Sequence, residues 1–99
     1  MAAWLSAAHL ADHFREHGHQ LGCRTHEEYD ASAQATLSVG RDFGFSDDWT
    51  GKDRLGCFDP DSGRLVVLTD DIDDPKIVSH FLATDRYCRR LWNSTYDVG

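Results

Sequence analysis

The chain has 99 residues, of which 40% are hydrophobic and 27% charged, so it is bounded to one globular domain over 1–99 with a single small core, and long disorder is excluded. No apolar run reaches the roughly 20 residues that cross a bilayer, and no basic segment followed by an apolar one opens the chain as an export signal would, so the expectation is a cytoplasmic protein. A formal charge of −7 argues against a broad basic face for nucleic acid, and any anion site has to be local.

Ser6 is placed to cap a first helix over 6–17, with Gly18 after it as the expected left-handed C-terminal residue. Thr25, His26, Glu27 and Glu28 form a T-x-x-E capping box, and Tyr29, Ala33 and Leu37 recur every fourth residue, which predicts a second helix over 26–38. Residues 40–53 carry Gly, Asp and Ser around Phe43 and Phe45 without a period and read as a loop held down by its aromatics. Residues 54–58 and 64–69 are short apolar-rich runs separated by Asp59, Pro60, Asp61, Ser62 and Gly63, the signature of a hairpin. After an acidic turn over 70–75, a third run over 76–83 alternates Ile77, Ser79, Phe81 and Ala83 with Val78, His80 and Leu82. Thr84 is placed to cap a last short helix carrying Tyr87, Arg90 and Leu91, with fraying expected over 93–99. The expected fold is therefore α+β: two N-terminal helices on a small antiparallel β-meander of three strands, then a short C-terminal helix.

The chemistry concentrates in His13, Phe14, Arg15, Glu16, His17, Gly18 and His19. On a helix, Leu10, His13, Phe14 and His17 fall at i, i+3, i+4 and i+7 and share one face, so two imidazoles accompany the side chains expected to anchor the helix, against Leu65, Val67 and Phe81. Imidazole exchanges protons near neutral pH, so a sheltered pair points to acid–base chemistry or metal binding, and core or helix-end histidines are the structural alternative. The i, i+4 spacing of His13 and His17 also suits two zinc ligands, with His19 and Cys23 nearby, but no further ligand follows in a recognised pattern and no metal is expected. Cys23, Cys57 and Cys88 are an odd number without C-x-x-C spacing, which predicts reduced thiols rather than disulfides. Ten acidic residues lie between Asp42 and Asp74, whereas Arg86, Arg89 and Arg90 fall at i, i+3 and i+4 on one helix face. That face is either solvated or a patch for phosphates or an acidic partner.

Order and motifs together resemble the small metal-independent RNases grouped as barnase/EndoU/colicin/RelE-like, in particular the C-terminal toxin domains of bacterial polymorphic and contact-dependent toxins and their phage relatives. The motifs are an H-F-x-x-H-G helix (His13 to Gly18), a basic residue leading into a T-x-E-E-Y helix start (Arg24 to Tyr29), and Y/F-D-P-x-T/S-G before an apolar strand (Phe58 to Gly63, then Leu65 to Leu68). A final strand with T/S followed by an aromatic or His corresponds to Ser79-His80-Phe81. The likeness covers roughly residues 6–92.

The resemblance implies an endoribonuclease toxin used in bacterial competition, acting on RNA, with tRNA a candidate, through 2′-OH attack that leaves a 2′,3′-cyclic phosphate. It implies a catalytic set of His13, His17, Arg24, Ser79 and His80, no cofactor, and a cognate immunity protein; Arg54 and the Arg86, Arg89 and Arg90 face are the further cations the sequence offers for binding RNA phosphates. The alternative function is a non-catalytic acidic binding protein: an immunity or inhibitor protein, or an inactive member of the same fold.

Overall fold

Ser6 begins a helix as its position demands: its Oγ accepts the His9 amide at 3.1 Å, and α1 (Ala7–His17) follows. The computed structural model describes residues 2–47 and 50–93; part of the expected loop and most of the expected frayed end, 48–49 and 94–99, lie outside them. α1 does not end in a left-handed Gly18, which is right-handed at φ −56. Gly18 is required for space, because a Cβ there would meet the Phe14 ring at 2.5 Å, and the left-handed turn is made by Gly22 at φ +71.

α2 (His26–Val39) is capped by Thr25, whose Oγ1 accepts the Glu28 amide at 3.1 Å. The Glu28 carboxylate reaches back one residue beyond the reciprocal partner of a capping box, to the Arg24 amide at 2.7 Å. Loss of the cap in Thr25→Ala is expected to destabilise the domain by about 1 kcal/mol, readable as a lower urea midpoint with an unchanged slope.

The sheet has four strands, β1 (Arg41–Ser46), β2 (Asp53–Asp59), β3 (Arg64–Thr69) and β4 (Ile77–Leu82), in the order β1-β2-β3-β4 with every pair antiparallel. The first half of the expected loop is thus a strand. Phe43 and Phe45 supply its period-2 face, and Phe43 lies over Gly56, where a Cβ would meet the ring at 2.5 Å. Glycine there opens the sheet surface to an aromatic from the neighbouring strand. α3 (Asp85–Asn93) follows, with Thr84 Oγ1 accepting the Tyr87 amide at 3.0 Å.

Both faces of β3 are covered, and Leu65, Val66, Val67 and Leu68 are all buried. On one face α2 supplies Ala33, which packs with Cys57, Val66, Leu68 and Ile77. On the other, α3 closes Cys88 over Phe45, Phe58, Leu65 and Val67. The alternation expected along 76–83 breaks once. Ile77 pairs with Leu68 and Ser79 with the adjacent Val67, so Val78 is an extra residue and the register shifts. Such a bulge reverses the facing of everything before it: Ile77 joins His80 on the α2 face, while Ser79 and Phe81 share the other.

α1 does not lie across the sheet. It runs along the β4 edge, with Phe14 set edge-on to the rings of His26 at 4.8 Å and Tyr29 at 5.7 Å rather than on Leu65 and Val67. The start of β4 is paired by the N-terminal segment, where Ile77 donates to the Ala3 carbonyl at 2.7 Å and Leu5 donates to that of Ile77 at 2.9 Å. Among the described residues no helix is long and apolar enough to cross a membrane.

Candidate active site

His13 and His17 project from α1 toward the face of β4 that α2 does not cover. His13 Nδ1 shares a 3.0 Å hydrogen bond with the buried Ser79 Oγ, and the His17 ring lies 5.3 Å from that of Phe81. The two imidazoles stack at 5.9 Å. His9 extends the stack, 6.1 Å from His13, with its own Nδ1 held by Ser6 Oγ at 2.7 Å. Its position one turn before His13 made it findable in the sequence.

Beyond Ser79 opens a cavity of about 460 Å³, lined among others by His13, Arg54, Ser79, Phe81, Tyr87 and Arg90. That volume is within the range of small-molecule sites. Arg54 reaches it from β2, and its Nε is buried with no hydrogen-bond partner among the described residues. A buried donor of that kind costs free energy until an acceptor arrives. Arg90 stands with its guanidinium 5.6 Å from the centre of the Tyr87 ring. Burial raises the pKa of the Tyr87 hydroxyl, so it stays protonated and able to donate. Asp47 also lines the cavity, so its charge is mixed.

The pKa of His13 is pushed below its ordinary 6.5, first by burial and then by the neighbouring His17, with Glu16 opposing. Neutral at physiological pH, His13 has Nε2 left as a base in the tautomer whose Nδ1–H donates to Ser79 Oγ. A charge on His17 thus disfavours a proton on His13.

Three of the expected catalytic residues do not line this cavity, and the first is His17, which stacks on His13 and lies against Phe81 without itself lining the space. His80, behind the bulge, faces α2 and is fully buried. Its Nδ1 pairs with the Leu65 carbonyl at 2.9 Å and its Nε2 with Ser32 Oγ at 2.8 Å. Ser32 in turn accepts from Arg64, which also donates to the Leu21 carbonyl at 3.2 Å, and the Tyr29 hydroxyl donates to the His80 carbonyl. A neutral imidazole fits this set, with Nδ1–H donating to Leu65 and Nε2 accepting from the Ser32 hydroxyl, and burial lowers the His80 pKa to about 4. His80 is therefore a structural residue. Arg24 is exposed at the entrance to α2, its amide bound to Glu28, and does not line the cavity.

The three arginines of α3 do not act as one face. Arg90 lines the cavity, Arg89 pairs with Asp85 at 2.8 Å, and Arg86 borders a neighbouring hollow that Arg90 and Tyr87 also line. The thiols of Cys23, Cys57 and Cys88 are free. Burial raises the pKa of each, to about 12 for Cys57 and about 11 for Cys88, which removes them as nucleophiles at neutral pH.

An imidazole, a serine hydroxyl, a phenol and two guanidiniums thus border one space on the α3 side of an α+β domain, with a second imidazole stacked on the first. Comparison of the chain with protein-family models, with curated proteins and with solved structures found no match.

Proposed function

We propose that this domain is a metal-independent endoribonuclease that cleaves RNA, with tRNA a candidate, and leaves a 2′,3′-cyclic phosphate. The observation that carries the reading is one cavity lined by both His13, whose pKa is lowered, and Arg54, whose buried Nε has no hydrogen-bond partner among the described residues. A base and a phosphate-binding cation in one cleft are what in-line attack by a 2′-OH requires.

In this mechanism Arg54 and Arg90 hold the scissile phosphate, and His13 Nε2 takes the 2′-OH proton as that oxygen attacks phosphorus. The bond from phosphorus to the 5′-oxygen breaks, and His17 in its cationic form, stacked on His13 and against the Phe81 that lines the cavity, returns a proton to the departing oxygen. Tyr87 and Ser79 supply hydroxyls, one to the cavity and one to orient His13. The toxin or effector role, the cytoplasm as the place of action and a cognate immunity protein as partner are supported by the motif resemblance.

The test is incubation of the purified domain with total RNA in EDTA, with fragment ends analysed chemically. Fragments ending in 2′,3′-cyclic phosphate are the expected product. Intact RNA from a folded domain would overturn the enzyme reading in favour of the non-catalytic binding protein, for which 99 residues and a net charge of −7 are the features in support.

A further inference from the structure

Sequence spacing offered His19 and Cys23 as companions to the histidine pair. The structure offers a different third group. Glu16, between the histidines in sequence, brings its carboxylate to 3.4 Å from His17 Nε2, and one donor atom each from His13, Glu16 and His17 lies within 4.8 Å of the others. We propose that these three side chains bind one Zn²⁺ ion per chain, and that the bound ion switches off the acid–base pair. The inhibitory half of this proposal rests on the RNase reading; the binding half does not.

The helix explains the convergence. Positions i, i+3 and i+4 lie on one side of α1, so no loop has to close to assemble the set. In a tetrahedral zinc site with bonds of 2.0–2.1 Å, donor atoms stand roughly 3.3 Å apart, so the present spacing requires side-chain rotation only. The groups that have to move are free to do so. The Glu16 side chain is 67% exposed and that of His17 25% exposed. His13 is the fixed member, held through Nδ1 by the buried Ser79 Oγ at 3.0 Å. Anchoring one ring nitrogen by an outer hydrogen bond and presenting the other is how proteins orient a ligating imidazole.

The donor chemistry selects the ion. Two imidazole nitrogens and a carboxylate suit zinc or a neighbouring late transition metal, whereas magnesium and calcium prefer sets made of oxygen alone. Three protein ligands leave a fourth position for water or a phosphate oxygen. Metal on Nε2 of His13 occupies the lone pair that would accept the 2′-OH proton, and metal on His17 displaces the proton it would give. Binding and catalysis therefore compete for the same atoms.

The experiment titrates the metal-free full-length domain with Zn²⁺ by calorimetry and with Co²⁺ by visible absorption, alongside Glu16→Gln and His17→Gln variants whose folding is verified by circular dichroism. Expected are one ion per chain, tetrahedral Co²⁺ bands, and affinity weakened by roughly tenfold or more in each variant, at least the loss seen for outer partners of metal ligands. RNA cleavage should fall as the site fills and return on addition of EDTA. No stoichiometric binding, or binding unchanged in both variants, overturns the site. Binding without RNA cleavage by the metal-free protein would sink the RNase reading and the inhibitory role while the site itself stands. Cleavage in EDTA that saturating zinc leaves untouched would sink the inhibitory role and leave the RNase reading intact.

Discussion

Replacement of His13 by alanine is expected to slow RNA cleavage by about 10²–10⁴, the contribution of one positioned base. The fold should be little affected. His13 is half-buried and its main bond is to Ser79, so truncation should cost about 1 kcal/mol, the net value of a single hydrogen bond. Rate and stability measured on one preparation therefore separate a chemical role from a packing one. The pH profile adds a second readout. Because His13 titrates below its ordinary 6.5, the ascending limb of a bell-shaped profile should lie on the acid side of that value. The nearby positive charge of protonated His17 is the second cause of the depression, so in His17→Ala the limb should move to higher pH while the maximal rate falls. An unchanged rate in His13→Ala, or a limb unmoved in His17→Ala, would remove the pair from the mechanism.

Local chemistry made much of this arrangement readable in the sequence. Ser6, Thr25 and Thr84 announced their helices because a side-chain oxygen before a helix satisfies backbone amides that nothing else reaches. Residues 64–69 read as a strand, and β3 has those bounds, because the apolar run Leu65 to Leu68 after a Pro–Asp–Ser–Gly turn has few other uses. The failures were non-local. β1 was obscured because its alternation consists of two phenylalanines among residues typical of loops, and it is held by pairing with β2 from Arg41↔Phe58 to Ser46↔Asp53. With β1 unseen, the seat of α3 was unseen too, and Tyr87 and Arg90 could not be placed in the cavity. His80 was grouped with Ser79 although simple alternation sets neighbouring strand residues on opposite faces, and the bulge at Val78, which has no sequence mark, altered the facing of Ile77 instead. The inward face of α1 was read correctly for His13, but the surface it meets is the β4 edge rather than the sheet interior. Glu16 was passed over because its partners are the histidines on either side of it, and only the side-chain geometry shows them converging.

The buried His80 yields the largest expected effect on stability. In the native state its imidazole is neutral, with both nitrogens bonded inside the protein and its pKa lowered to about 4 by burial. In the unfolded chain it returns to the ordinary 6.5. Above pH 6.5 neither state holds the extra proton, and the full stabilisation is present. As pH falls from 6.5 toward 4 the unfolded chain takes up a proton that the native state refuses, so the equilibrium moves toward unfolding across that window. The loss integrates to about 3 kcal/mol for a shift of this size, a large share of the 5–15 kcal/mol typical of a domain. Protonation would also convert Nε2 from an acceptor to a donor and so take away the acceptor of the Ser32 hydroxyl proton. The measurement is urea unfolding at pH 7, 5.5 and 4 for the wild type and for His80→Gln, whose amide can both donate and accept but does not titrate. Carboxylates contribute equally to both curves, so the difference between them isolates His80. His80→Gln should be the less stable protein at pH 7 and should lose about 3 kcal/mol less than the wild type on acidification. Parallel pH dependences in the two proteins would show that His80 is not the group that makes this fold sensitive to acid.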